Sequence, residues 1–159
     1  MFFQPRIPDN ELDPELEAAI EAFRTAGQTI LFGSFVILGF QIFCQYEAVI
    51  LQRAGSSRYV HLASIVLIVL TILWVGPVAF PSEAMFAHGL EPLYRVGKRN
   101  LMLVTMLLGA GISADVYVMT RMAAHSYALA IALATAMLAL GFALGFGVPH
   151  YLTNRKGPD

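Results

Sequence analysis

Four long apolar blocks, separated by short polar stretches, organise the chain. They run over about residues 27–50, 61–80, 100–121 and 127–148. Each is close to the ~20 residues that an α-helix needs to cross a hydrocarbon layer of ~30 Å. Backbone N–H and C=O groups cannot face lipid unpaired, so each block predicts a helix that satisfies its own hydrogen bonds. Ahead of the first block, Leu12, Leu16, Ile20 and Phe23 recur at helical spacing opposite a run of acids from Glu11 to Glu21. Asp13 suits a helix cap, Pro14 the first helical position, and Glu15 and Glu17 the positive end of the helix dipole. The acidic face would be repelled by anionic lipid, so this amphipathic segment is expected to pack on protein or to extend the first span. Pro77 lies near the end of the second span, a short interfacial helix is expected over Ser82 to His88, Glu91-Pro92 is expected to restart the helix that carries the third span, and Pro149 is expected to end the fourth span. The predicted fold is all-α: a four-helix transmembrane bundle (27–149) preceded by an N-terminal amphipathic helix (within 1–26) and followed by a tail (150–159).

Composition agrees with the pattern. Hydrophobic residues make up 57% of the chain and charged residues 13%, against about 25% charged in a soluble domain. The mean hydropathy is +0.65, and the charges sit in the short stretches between apolar blocks. The first apolar run follows an acidic stretch rather than a basic one, so it reads as a retained helix and not as a signal peptide. Orientation is predicted from Lys and Arg. Arg6, Arg24, Arg95, Lys98, Arg99, Arg155 and Lys156 fall on one side, and Arg53, Arg58 and Arg121 on the other. That asymmetry predicts that both termini are cytoplasmic.

Apolar helices gain nothing from each other in lipid by the hydrophobic effect, so close packing through small residues matters more. In the fourth block Ala132 and Ala136 are four apart, as are Gly141 and Gly145, and Ala139, Ala143 and Gly147 extend the small surface. Gly109 and Ser113, with Ala110 and Ala114, do the same in the third. A tight hairpin of spans three and four is expected, with leftover small faces available to a second copy or to other membrane subunits.

Several polar residues fall at membrane depth. Asp115 is the sharpest, because a carboxylate there is costly unless paired, hydrated or neutralised. It reads either as a protonatable or cation-binding site or as a structural group near the outer interface, paired with Arg53 or Arg58. Ser34, Gln41, Gln45 and Gln52 recur on one face of the first helix, with Glu47 close in sequence. Spans one and three run in the same direction, so Gln41 and Gln45 are expected to share the outer half with Asp115. There they either tie helices together or contact a proton, a cation or a quinone head group.

Other chemistry is poorly represented. Cys44 is the only cysteine, which excludes an internal disulfide and a zinc site built on cysteines. His61, His88, His125 and His150 all lie near span ends, whereas a haem needs facing imidazoles at equal depth. No nucleophile–base set, phosphate-binding glycine loop or metal-spaced histidine pair is present. No basic patch suits nucleic acid. The expectation is a non-enzyme without cofactor or metal.

Short motifs run from about Glu15 to Pro149: a charged segment leading into Thr25-Ala26-Gly27-Gln28-Thr29-Ile30-Leu31-Phe32-Gly33, then Gly39-Phe40-Gln41, His61-Leu62-Ala63, Gly76-Pro77-Val78-Ala79-Phe80 and Asp115-Val116-Tyr117. In these the chain resembles a group of small bacterial four-helix membrane proteins of unknown function, some of which carry a sodium/proton antiporter label. Members often have a His-Arg pair where Pro81-Ser82 stands here. The resemblance implies a multi-pass protein of the bacterial inner membrane. Known antiporters have many more helices, with broken inverted repeats, so transport by this chain would require several copies. The first expectation is therefore an accessory or scaffolding subunit, or a homo-oligomer. The second is an oligomeric cation or proton transporter using Asp115, Gln41 and Gln45.

Overall fold

A computed structural model describes residues 14–46, 57–82 and 90–153. They form four helices: α1 (Pro14–Tyr46), α2 (Ser57–Ala79), α3 (Leu90–Ala124) and α4 (Tyr127–Thr153). All four are long and apolar enough to cross a membrane, which makes the chain a multi-pass membrane protein.

The helices differ from the expected spans mainly at their ends. Of the two alternatives for the amphipathic segment, the structure has the one in which it extends the first span, because nothing between Pro14 and Tyr46 breaks the helix. α3 starts at Leu90, at the expected Glu91-Pro92 restart and ten residues before the expected span. At 1.5 Å per residue, α1 and α3 are each roughly 50 Å long, well over the ~30 Å hydrocarbon layer. Their N-terminal parts run side by side, with the Phe23 and Tyr94 rings in tilted contact at 5.5 Å between centroids. Phe23, Val78 and Leu101 form a buried cluster there. α4 continues through Pro149 to Thr153. A proline removes one backbone bond, and the other bonds remain available to carry the helix on. The helix expected over Ser82 to His88 lies, beyond Ser82, outside the described residues.

Consecutive helices are antiparallel. Gly27 of α1 lies against Ala79 at the far end of α2, while Gln41 of α1 meets Ser64 near the start of α2. The Gln28 side chain donates to the Ala79 carbonyl at 3.3 Å, satisfying one of the open carbonyls at the α2 C-terminus. Buried in α2 are Ala79 at its end and a stripe of His61, Ser64, Ile68, Thr71, Val75 and Val78, spaced alternately by three and four. This stripe faces α1 and α3.

α3 is the central helix, packing on α1, α2 and α4. α4 sits at the edge: only 17% of its span is buried, against 33% for α2 and α3. Its contact with α3 is nevertheless very close. A Cβ placed on Gly109 would stand 2.8 Å from the Gly141 Cα, and the reverse holds for Gly141. Gly145 packs on Met102, Thr105 and Met106, and Ser113 Oγ donates to the Ala134 carbonyl at 2.5 Å. Ala132 and Ala136 are exposed on the other side of α4. The hairpin link is only His125 and Ser126. His125 takes a left-handed φ of 52°, and the Ser126 hydroxyl caps α4 by accepting from the Leu129 amide at 3.3 Å.

The glycine contact yields a clear expectation. Gly141→Ala forces α3 and α4 apart and should cost roughly 1–3 kcal/mol, as overpacking does. Gly33, where an added Cβ meets nothing within 4 Å, should accept alanine with no loss and a gain of up to about 1 kcal/mol in helix preference. Denaturation in mixed micelles, followed by circular dichroism, measures both. Equal stability of the two variants would contradict the close contact.

Candidate functional site

Three helices meet at the end of the bundle remote from the Phe23 cluster. α1 brings Gln41, which is 2% exposed. α2 brings His61 and Ser64 from its first two turns, and α3 brings Asp115. Their positions follow from the packing stripes. Ser34 and Gln41 lie seven residues apart on the inner face of α1, and His61 and Ser64 open the buried stripe of α2.

The hydrogen bonds form one connected array. His61 Nδ1 lies 3.1 Å from Asp115 Oδ1. The Gln41 amide nitrogen donates to Asp115 Oδ2 and also to Ser64 Oγ at 2.7 Å. The Ser64 hydroxyl donates onward to the Gly111 carbonyl at 2.8 Å. In an α-helix that carbonyl also accepts from the residue four further on, which is Asp115 itself. Both carboxylate oxygens therefore have a donor, and Ser64 ties α1 and α2 to the turn of α3 that carries the acid.

α2 comes close to this turn at Gly111. A Cβ there would lie 2.7 Å from Ile68 Cδ1, so a larger residue would have to displace the end of the buried Ile68 side chain. Other buried or half-buried hydroxyls turn back on their own helix: Ser34 donates to Ile30, Thr71 to Leu67 and Thr105 to Leu101. Ser64 and Ser113 are the described hydroxyls that donate across helices.

One polar atom in the array is left over. Gln41 Oε1 is buried and has no hydrogen-bond partner, whereas such groups are normally satisfied. Beside it runs a cleft of about 240 Å³ between α1 and α3. Ile37, Phe40, Ile112, Val116 and Met119 form its apolar walls; Gln41, His61 and Asp115 border it as well, with their polar atoms almost wholly covered. Phe40 and Met119 are exposed on the outer surface, so the cleft opens sideways where lipid would lie.

Arg58, expected as a partner for Asp115, instead donates to the Tyr59 hydroxyl at 2.8 Å and lies over that ring. Arg121 stacks on Tyr127 at 3.6 Å. Both arginines thus pair with aromatic rings near helix ends, and histidine takes the place expected for arginine. Arg53 and Glu47 lie outside the described residues, and the same holds for the side chain of Gln45. Among the described residues, no three of His, Cys, Asp and Glu come together in a way that could hold a metal ion.

Sequence reasoning missed His61 and Ser64 as partners of Asp115. The signal was present in the spacing: His61, Ser64, Ile68, Thr71 and Val75 share one face of α2, and polar residues on a common face of an apolar helix point inward.

No family model, curated protein or solved structure matches the chain.

The array implies energetic coupling between helices. In a double-mutant cycle of His61→Ala and Asp115→Ala, a coupling of about 1–2 kcal/mol is expected, toward the upper end of hydrogen bonds measured within membranes. Unfolding titrations of the four proteins in mixed micelles supply the cycle. Additive single effects would mean that the two side chains do not interact.

Proposed function

We propose that the protein is a small non-catalytic membrane subunit that binds and exchanges a proton at the His61–Asp115 pair, either as a homo-oligomer or within a larger membrane complex. The observation behind this reading is the direct contact of a carboxylate and an imidazole at 3.1 Å between two helices of the bundle. Ionisable side chains at such positions usually mark proton or ion pathways. Histidine is also the side chain whose charge responds most readily near neutral pH.

The array supports a mechanism. With an ionised carboxylate, the imidazole Nδ1–H and the Gln41 amide hold one oxygen each. A second proton on the imidazole makes the pair neutral overall and lowers the cost of its burial. Loss of that proton leaves a net negative charge, which the hydrogen bonds from Gln41 and His61 stabilise. Gln41 fixes the carboxylate through both states. In the predicted orientation, with both termini cytoplasmic, the site lies toward the outer face.

A second reading, an accessory or scaffolding subunit without proton exchange, draws on α4. Most of that helix is uncovered, including the small residues Ala132 and Ala136, which leaves room for a second copy or another membrane protein to pack.

Proton uptake into liposomes decides between these readings. Vesicles containing the protein and a pH-sensitive dye, given an inward-driving potassium diffusion potential, should acidify faster than empty vesicles. Asp115→Asn should lower the rate to that of empty vesicles, and His61→Phe should do the same. Arg58→Ala should leave it unchanged. A wild-type rate no greater than that of empty vesicles would exclude proton passage and leave the scaffolding role.

A further inference from the structure

Hydrogen bonds have a direction, and around Asp115 the directions are fixed one after another. The Gly111 carbonyl can only accept, so Ser64 spends its single hydroxyl hydrogen on it, at 2.8 Å. Toward Gln41, at 2.7 Å, the Ser64 oxygen can then only accept. The Gln41 side chain therefore has to present its amide nitrogen on this side, not its oxygen. The same nitrogen donates to Asp115 Oδ2, so Oδ2 is an acceptor and carries no proton. One backbone carbonyl thus decides, through two side chains, which atom of the carboxyl group faces a hydrogen.

The unpartnered Gln41 Oε1 follows from the same order of bonds. With the amide turned over, its oxygen would lie between Ser64 and Asp115. The one hydrogen of Ser64 would then be claimed by both Gly111 and Gln41, and one bond between helices would be lost. The amide N–H groups would move to the buried place where Oε1 now stands. A single unmatched acceptor would be exchanged for two unmatched donors, each costly to bury. The observed orientation carries the smaller deficit.

On its other side Asp115 meets His61, Nδ1 to Oδ1 at 3.1 Å. Arg58 is held on Tyr59 and Arg121 on Tyr127, so neither guanidinium enters the array. With Oδ2 committed to Gln41, the place left for an exchangeable proton is the Oδ1–His61 side.

The geometry points to Ser64 as a positioning residue: held by the Gly111 carbonyl, it sets the Gln41 amide so that Asp115 Oδ2 stays unprotonated and the mobile proton is confined to His61. This inference rests on the reading of His61–Asp115 as a proton-exchanging pair and names what fixes the proton's place in it. An incoming proton binds His61 Nε2 while Nδ1–H stays on Oδ1, and it leaves from the same Nε2. Ser64 acts through Gln41.

The test uses the full chain in lipid nanodiscs. Nitrogen NMR of isotope-labelled histidine follows His61, and infrared difference spectra follow the carboxyl group as the protein takes up protons. Asp115→Asn identifies the infrared bands that belong to Asp115. In the wild type, His61 should pass from its Nδ1–H form to the doubly protonated ring while no carboxylic-acid band of Asp115 appears. Ser64→Ala frees the amide to turn, and Asp115 should gain a carboxylic-acid band over the same titration. Gln41→Leu removes the donor itself and should produce that band too. A role of Ser64 in packing alone would lower stability without moving the proton from nitrogen to oxygen. An Asp115 acid band in the wild type, or Ser64→Ala spectra that match the wild type, would overturn the inference. Should Ser64→Ala fail to fold, the wild type and Gln41→Leu decide by the same criteria. Proton uptake by wild-type vesicles separates this inference from the reading beneath it. Uptake with an acid band in the wild type removes the positioning role and spares the proton pair. The expected bands without uptake keep the positioning role and remove proton passage.

Discussion

An ionisable carboxylate between membrane-spanning helices has to be supplied with hydrogen bonds, and the arrangement of α1, α2 and α3 follows from supplying them to Asp115. Its two oxygens meet His61 from α2 and Gln41 from α1. Those contacts set the register of three helices at one end of the bundle. A shift of α1 by one residue would rotate Gln41 by roughly 100° away from the acid. Ser64 adds a second tie, from both neighbours to the Gly111 carbonyl. The opposite end is held differently, by the apolar cluster of Phe23, Val78 and Leu101. One end of the bundle is thus fixed by direction-dependent bonds and the other by shape.

Small residues mark the close approaches beside the polar end. α2 comes close at Gly111, where an added Cβ would meet the end of the Ile68 side chain. Two residues earlier, Gly109 meets Gly141 of α4. Gly111 and Gly109 present different sides of α3, so one short segment is gripped from two directions. This segment leads directly into Asp115. The carboxylate therefore stands on a stretch of backbone with little freedom to move, while the α1 side of the site borders an open cleft.

The four helices were legible in the sequence because apolar length is a strong signal in a lipid solvent and needs no knowledge of neighbours. The α3–α4 hairpin was legible for a similar reason, since small residues and a short link act locally. Helix ends were less so. Pro149 was read as a boundary, yet α4 runs through it, whereas the Glu91-Pro92 signal marked the start of α3 to within a residue. Asp115 and Gln41 stand out in the sequence as polar residues in apolar runs. The partner of Asp115 did not, because charge complementarity points to arginine, and His61 near a helix end resembles an ordinary interfacial histidine. The outcome depended on reach: Arg58 finds Tyr59 beside it, whereas His61 already sits on the inward stripe of α2.

The chain order of the site has a consequence for biogenesis. Gln41 and His61 both precede Asp115, so a ribosome delivers the two partners to the membrane before the acid emerges. When α3 reaches the bilayer, a hairpin of α1 and α2 can already present the Gln41 amide, the Ser64 hydroxyl and the His61 imidazole. The most costly residue of the chain thus enters lipid with its solvation waiting for it.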